Sequence, residues 1–284
     1  MCYYELIDAT AQGASYMDRP RKNDKTNVPM ESLDAIHSRI IKCFAVLDKV
    51  ARGVVLGHIN AAIVSGAPGC GKTHSLEREL NAAEAQGKIR YQSVKGSMSA
   101  IGLFRALFEC SEQGSVLVID DCDSVFGDLD AMNILKAALD TGKTRRVHWN
   151  KESRVLAEEG IPRSFEFKGA VLFITNIDLV REIAKQNKMA PHYEALLSRS
   201  LYVDMRIHTK TEVFVRVKQV AFDEDFLADN LLTKGQAQDM VQWLEQHLTK
   251  VRVLSIRTVI QMANFVKTDH NWKDMAEMLL LRDS

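Results

Sequence analysis

A run of small residues that ends in a lysine and a hydroxyl side chain is the part of the sequence best suited to bind phosphate. It reads Gly66-Ala67-Pro68-Gly69-Cys70-Gly71-Lys72-Thr73 and is followed by His74. Glycines allow the backbone to curl until successive N–H groups converge on one anion. In this G-x-x-x-x-G-K-[ST] spacing the lysine reaches the β- and γ-phosphates and the hydroxyl binds Mg²⁺. We therefore expect residues 66 to 74 to bind ATP, with Thr73 as a Mg²⁺ ligand.

The residues on either side supply the elements that such a loop requires. Residues 60–65 predict a buried strand, and residues 72–85 have the pattern of a helix. The positive end of that helix would face the bound phosphates. Strand, loop and helix in this order favour a phosphate site over a chance glycine-rich turn.

A second candidate for chemistry is a pair of acids that ends an apolar run. Residues 116–119 are apolar and largely β-branched, and Asp120 and Asp121 follow them. This pattern predicts a buried parallel strand whose carboxyl end presents the acids to a ligand crevice. Taken alone, the pair is better interpreted as an acidic turn at a strand end, but together with the upstream loop it indicates a Walker B strand. Asp120 would then hold Mg²⁺, and Asp121 would polarise the attacking water.

Apolar segments alternate with helical patterns through most of the chain. Further strands are predicted at 88–94, 170–176 and 201–205, and further helices from residue 31, at 100–110, 129–139 and 191–198. Beyond residue 209 four helices are predicted, at 211–222, 234–249, 255–266 and 272–281. The predicted fold is α/β, a five-stranded parallel sheet sandwiched by helices and followed by a small all-helical lid domain. We expect a polar arm over 1–30, a nucleotide-binding domain over 31–208 and the lid over 209–284.

The net charge of the chain does not point to a particular class of binding partner. Lys and Arg total 37, as do Asp and Glu, so preference for nucleic acid or for a membrane surface must be local. The five cysteines are scattered without metal-ligand spacing, which is typical of reduced thiols in the cytoplasm. We see neither a secretion signal nor an apolar run long enough to span a membrane.

The segment from 143 to 169 contains a predicted hairpin insertion. Residues 145–149 and 164–168 are short strand-like pieces, and residues 143–168 carry seven basic against four acidic side chains. Aromatic residues interleaved with arginines can bind nucleic acid by stacking and by phosphate contacts. A solvated hairpin or a subunit contact is the alternative interpretation.

These motifs, in this order, resemble the AAA+ ATPase family from about residue 31 to the C-terminus. The resemblance implies that Asn176 is the sensor 1 residue that bonds the attacking water or the γ-phosphate. It implies that Arg199 is an arginine finger acting in trans, with Arg206 as the alternative, and that Arg257 is the sensor 2 arginine of the lid. A finger in trans requires a homo-oligomer, which in this family is a ring, with a hexamer as the expected size.

Two positions depart from the family pattern. Asp121 stands where most members have glutamate, so hydrolysis is expected to be slow or to place its water differently. Cys70 stands at a variable loop position, where exposure near a helix N-terminus would lower its pKa. The chain also has a looser similarity to AAA+ ATPases of tailed phages, which implies the host cytoplasm as its location.

Three functions remain open at this level. The first is a nucleic-acid-directed ATPase in which the hairpin and Lys95 face a central pore. The second is a protein remodeller that grips its client with Met98, Ile101 or Trp149. The third is a scaffold that oligomerises on ATP and hydrolyses little.

Overall fold

The computed structural model describes residues 31 to 282, so the predicted arm over 1–30 lies outside the described residues. The elements follow in chain order: α1 (Leu33–Val55), β1 (Ala61–Ser65), α2 (Lys72–Ala85), β2 (Arg90–Lys95), α3 (Ala100–Glu109), β3 (Ser115–Asp120), α4 (Leu129–Ala138), β4 (Arg146–His148), α5 (Arg154–Glu158), β5 (Ser164–Glu166), β6 (Ala170–Thr175), α6 (Leu179–Ala184), α7 (Ala190–Leu197), β7 (Leu201–Asp204), α8 (Lys210–Ala221), α9 (Glu224–Asp229), α10 (Lys234–Gln246), α11 (Ile256–Thr268) and α12 (Trp272–Leu280). A 3₁₀ helix spans Asp123–Gly127.

Five strands form one parallel sheet in the order β2-β3-β6-β1-β7, which confirms the predicted fold class. The register pairs Ser65 of β1 with Thr175 of β6, and Asp120 of β3 with Ile174 of β6. Strands β1, β3 and β6 therefore end at the same level. The loops that follow them meet at one edge of the sheet, as parallel strands require.

Both faces of the three central strands, β1, β3 and β6, are buried, because helices cover each face. Along β3 the side chains alternate, with Leu117 and Ile119 in one hydrophobic cluster and Val116 and Val118 in the other. The first cluster includes α3, α4 and α7, and the second includes α1 and α2. This burial on both sides explains the continuous apolar runs in the sequence.

The predicted hairpin exists, as β4 and β5 pair antiparallel in a separate two-stranded sheet. Its aromatic side chains point into the core: Trp149 and Phe165 are each 8% exposed, and Phe167 is 1% exposed. Phe165 packs edge-on against Phe104 and Phe108 of α3. Of the two interpretations of this segment, stacking of these rings on bases is excluded for the buried rings, since they anchor the hairpin to the domain.

The region after β7 is helical and has its own hydrophobic cluster. Trp243 of α10 and Trp272 of α12 meet with ring centroids 6.1 Å apart, and Met262 of α11 is fully buried between the helices. Five helices lie here instead of the four predicted, because the short helix α9 has too few residues to show a period. The described residues from Leu33 onward fall within one compact unit, and the boundary near residue 208 stays a prediction.

No helix within residues 31–282 is both long and apolar enough to cross a membrane.

Candidate active site

A cleft of about 420 Å³ lies at the carboxyl edge of the sheet, above β1 and β3. Most of the residues predicted to bind nucleotide or metal line it: Pro68, Gly69, Cys70, Gly71, Lys72, Thr73, His74, Asp120, Asp121, Asn176 and Arg257. Gly66 and Ala67 line a neighbouring cleft, and their carbonyl groups face Lys72. The structure thus brings together every predicted site residue except Arg199, whereas the roles of these residues stay predictions.

The loop from β1 to α2 depends on two glycines with left-handed backbone conformations. Gly69 has φ +67° and Gly71, which caps α2, has φ +98°. Residues with a Cβ rarely adopt such angles. A Cβ at Gly69 would also lie 2.9 Å from the Cβ of Ser255. The loop therefore needs glycine both for its curvature and for its contact with the C-terminal helices.

Lys72 is almost completely buried under this loop. Its ammonium group donates to the carbonyl oxygens of Gly66 at 2.7 Å and Ala67 at 3.0 Å, and to Oδ1 of Asn176 at 3.0 Å. Burial lowers the pKa of the Lys72 ammonium group, and the nearby carboxylates of Asp120 and Asp121 oppose that shift. The ammonium group is suited to receive an anion, because its direct hydrogen-bond partners are neutral carbonyl and amide oxygens that leave its charge in place.

The residues suited to hold Mg²⁺ are in direct contact. The Thr73 hydroxyl donates to the Asp120 carboxylate, with O···O distances of 3.1 and 3.2 Å. Among residues 31–282 no group of three or more His, Cys, Asp or Glu side chains is arranged to hold a metal. Mg²⁺ at a nucleotide site does not need one, since it takes one or two protein ligands with phosphate oxygens and water. The pair therefore fits this ion.

Asp121 and Asn176 form a second pair at the strand ends. Nδ2 of Asn176 donates to Oδ1 of Asp121 at 2.7 Å. Asp121 has φ +57°, an uncommon value for a residue other than glycine, and its N–H donates to the carbonyl of Ile174. Asp123 lies just beyond and accepts from Thr175 at 2.6 Å; burial raises its pKa, which the hydrogen bond from Thr175 opposes. Of the two acids in the turn after β3, Asp121 lines the cleft, whereas Asp123 does not.

The C-terminal helices contact the phosphate-binding loop directly. The N–H of Ile256, at the start of α11, donates to the carbonyl of Gly69 at 2.9 Å, and Arg257 lines the cleft. Arg216 of α8 is a residue that sequence reasoning missed. Its Nε donates to the carbonyl of Cys70 at 3.2 Å, and its guanidinium lies 3.7 Å from the ring centre of Phe44. It sits in an ordinary amphipathic helix, so no motif marks it.

Lys95 also lines this cleft. Its ammonium group lies 2.8 Å from Glu77 and 3.5 Å from Asp120, and its side chain is 54% exposed. Its proposed position at a central pore stays a prediction. Met98 is unsuited to grip a protein client, because it is only 7% exposed.

Cys70 differs from the prediction of a low thiol pKa. It is 2% exposed, and burial raises its pKa in spite of the nearby charge of Lys72. The N-terminus of α2 is close to the thiol, but the loss of solvation on burial has the larger effect on the pKa. The other cysteines among residues 31–282 are also free thiols.

Arg199 lies outside its own cleft, just after α7. Its side chain donates to the carbonyl of Ala195 at 2.8 Å, and its Nε lies 3.9 Å from Oδ1 of Asp140. About a third of the side chain is exposed, at 32%. Arg206, the alternative finger, is exposed and has φ +50°, and its carbonyl accepts a hydrogen bond from Arg39.

Comparison with known proteins finds a phage protein of similar sequence. No protein-family model matches the sequence. The chain is 43% identical over 247 residues to an uncharacterised 36.7 kDa protein from the nrdC-mobD intergenic region of Enterobacteria phage T4. That match covers 87% of this chain and 76% of the phage protein.

Solved structures with a similar arrangement are much more distant in sequence. The replication initiator DnaA bound to AMPPCP and single-stranded DNA is 12% identical with a TM-score of 0.47, over 81% of this chain and 63% of that one. Orc1 of Aeropyrum pernix in complex with DNA is 10% identical with a TM-score of 0.42, over 80% and 60%. The chain thus spans less than two thirds of each. At such values the likeness establishes neither a shared activity nor a shared partner.

Identity of this extent with the phage T4 protein shows common descent. The phosphate-binding loop follows β1, Asp120 ends β3, Asn176 follows β6, and helices contact the loop from the C-terminal side; this arrangement resembles that of AAA+ ATPases. The chain belongs to one family with this phage T4 protein.

Proposed function

We propose that the protein is an oligomeric ATPase that binds and hydrolyses Mg-ATP. The observation that carries this proposal is the convergence of two hydrogen-bonded pairs, Lys72 with Asn176 and Thr73 with Asp120, at one edge of the sheet. A structural role alone does not require a buried lysine, a hydroxyl and two acids around one cleft. Phosphoryl transfer requires that combination, because its catalysis is mostly positioning and charge stabilisation.

Each residue has a distinct task in the proposed reaction. Lys72 exchanges part of its contact with the Gly66 and Ala67 carbonyls for phosphate oxygens. Thr73 and Asp120 would hold Mg²⁺, which when bound neutralises charge on the β- and γ-phosphates. Asp121 accepts a proton from the attacking water, and Asn176 orients that water. His74 and the loop glycines enclose the phosphates, and Arg257 contacts them from the C-terminal helices.

The position of Arg199 supports the proposed oligomer. The side chain does not line the cleft of its own chain, so a finger role requires the cleft of an adjacent subunit. A guanidinium is suited to that task because it spreads its charge over several donors. We propose a homo-oligomeric ring, with a hexamer as the working size.

The macromolecule on which the ATPase acts is proposed to be nucleic acid, and a protein client is the alternative. The buried positions of Trp149 and Met98 weaken the protein-gripping alternative, since both were candidate gripping side chains. They equally remove base stacking by the hairpin, so binding to nucleic acid must rest on charge. The relation to a phage T4 protein supports a phage origin and action in the host cytoplasm.

A nucleotide-gated scaffold is the second candidate, and one observation favours it. The short carboxylate of Asp121 is held by the Asn176 amide at 2.7 Å, which restrains it from approaching a water molecule. In that case ATP would assemble the protein while turnover stayed near background.

The experiment is steady-state ATP turnover of the purified full chain with Mg²⁺, alone, with single- or double-stranded DNA, and with an unfolded protein. We expect basal turnover that DNA stimulates and that disappears without Mg²⁺. Assembly on ATP without turnover would favour the scaffold, and stimulation by protein alone would favour the remodeller.

A further inference from the structure

A second large cleft opens at the opposite edge of the sheet. It has a volume of about 620 Å³ and lies at the amino ends of β1, β3 and β6, where Asn60, Ser115 and Ala170 line it. Strands of five or six residues separate it from the phosphate-binding loop by about 20 Å. The proposed ATPase reaction uses none of its residues.

The side chains that line this cleft are strongly basic. Lys88, Lys143, Arg145 and Lys168 face one acid, Glu166, which leaves a local excess of three positive charges. Glu166 lies 3.7 Å from Lys168. Within residues 31–282 neither Lys88 nor Lys143 forms an ion pair. In a chain with no net charge, such an excess around one cavity is a local feature.

The side chain of Arg145 is held in a defined position in the cleft. Its guanidinium donates to the carbonyl oxygens of Ala138 at 3.2 Å and Gly169 at 2.8 Å, and it lies 5.0 Å from the ring centre of Phe167. Burial lowers the pKa of Arg145, and no carboxylate among the described residues pairs with it. The guanidinium therefore holds a positive charge without a carboxylate partner at a defined position in a cleft that three lysines also line.

The chemistry of the lining selects phosphate groups as the ligand. Lysines and an arginine bind phosphate through charge and hydrogen bonds. Phe167 is the one aromatic residue in the lining, and it is 1% exposed, so no ring is available to stack on a base. A nucleic acid bound here would be held through its phosphate groups, and its bases would not be recognised.

We infer that this basic cleft, defined by Lys88, Lys143, Arg145 and Lys168, binds the phosphodiester backbone of a nucleic-acid strand. Free polyphosphate shares the chemistry, but the cleft is open to solvent and has a volume of about 620 Å³, which admits part of a longer polyanion. This inference rests on the proposed function and deepens it, because it names the surface that meets the nucleic acid.

The test compares two triple variants of the full chain. One is Lys88→Glu with Lys143→Glu and Lys168→Glu; the matched control is Lys188→Glu with Lys218→Glu and Lys267→Glu, which changes the charge equally at exposed lysines outside both clefts. Arg145 is left intact because it bonds the backbone. Binding of a fluorescent mixed-sequence single strand is measured by anisotropy at several salt concentrations, without nucleotide, after thermal unfolding has shown that both variants fold.

We expect the cleft variant to bind at least about tenfold more weakly, with a salt dependence reduced by about two to three counterions, while the control changes less than about threefold. Equal losses in both variants, or wild-type affinity in the cleft variant, would overturn the inference. Binding of fluorescently labelled inorganic polyphosphate by the wild-type protein, without any binding of the strand, would also overturn it. Basal ATP turnover, measured separately, should be unchanged in the cleft variant; its absence from the wild type would contradict the proposed function and not the binding site.

Discussion

The ammonium group of Lys72 lies 3.0 Å from Oδ1 of Asn176, although the two residues are 104 positions apart in the chain. The same amide donates through Nδ2 to Asp121. Asn176 therefore connects the residue that would hold the phosphates to the residue that would activate water. Entry of a γ-phosphate between them would replace this contact and free both groups for the reaction.

Asn176→Ala removes the hydrogen bonds to Lys72 and Asp121 and changes no residue of the phosphate-binding loop. We expect ATP affinity to stay within about threefold of wild type and turnover to fall by about 10² to 10³, as for other residues that position a reacting group. Binding is measured with a fluorescent ATP analogue and turnover by phosphate release. A variant that hydrolyses ATP at the wild-type rate would show that Asn176 has no part in the reaction.

Substitutions of Asp121 test whether this residue is the general base. Asp121→Asn keeps the shape and the hydrogen bond to Asn176 but cannot accept a proton, so turnover should fall by about 10² or more while ATP still binds. Asp121→Glu restores the longer side chain that most AAA+ members carry and should match or exceed the wild-type rate. Full activity in the Asn variant would assign the base elsewhere.

Arg199→Ala should leave ATP binding near normal and lower the turnover of the assembled protein by about 10² or more. Because the finger is proposed to act on the adjacent subunit, the activity of oligomers that mix two variants tests this role. An oligomer of Arg199→Ala and Lys72→Ala subunits contains interfaces with an intact loop on one side and an intact arginine on the other.

Such mixtures should recover part of the turnover that each variant lacks alone, over a range of mixing ratios. Subunit exchange is verified by energy transfer between labelled variants. If mixed oligomers form and remain inactive, Arg199 does not act in trans.

Glu212 at the start of α8 is expected to govern acid stability. Burial disfavours its charge, yet hydrogen bonds from the N–H groups of His208 and Thr209 and from Arg39 lower its pKa to about 2. Because the folded pKa is below the unfolded value of about 4.3, the carboxylate stabilises the protein above about pH 4.5 and this contribution is lost as the pH falls toward 2.

Glu212→Gln should therefore lower the free energy of unfolding at neutral pH by about 1 to 2 kcal/mol, after allowance for screening by solvent, with a smaller difference in acid. Urea unfolding at several pH values measures this. Glu245→Gln, at an exposed position of α10, is the control and should show little effect. A difference that grows as the pH falls would contradict the assigned sign.

The sheet and the phosphate loop were predictable because local patterns determine them. Residues 116–119 are apolar without interruption, which only a strand buried on both faces explains, and Gly69 and Gly71 occur where the loop needs left-handed backbone. The convergence of Asp120 and Asn176 also followed from sequence, since parallel strands end at one edge.

Other features depend on packing that one sequence does not display. The aromatic residues of the hairpin alternate with charges as a nucleic-acid surface would, and only the contact of Phe165 with Phe104 shows that they face inward. Arg216 reaches the Cys70 carbonyl across 146 positions, and no spacing rule predicts that contact. The basic cleft likewise assembles Lys88, Lys143 and Lys168 from separate segments.

The most direct test of the central claim is phosphate release from Mg-ATP by the wild-type chain and by Lys72→Ala. Lys72 is 5% exposed and is the buried cation at the phosphate loop, so its loss should reduce turnover to background and weaken nucleotide binding. Lys72→Arg, which keeps the charge but not the compact ammonium group, should also be strongly impaired. Turnover in Lys72→Ala equal to that of the wild type would contradict the assignment of this cleft as the ATPase site.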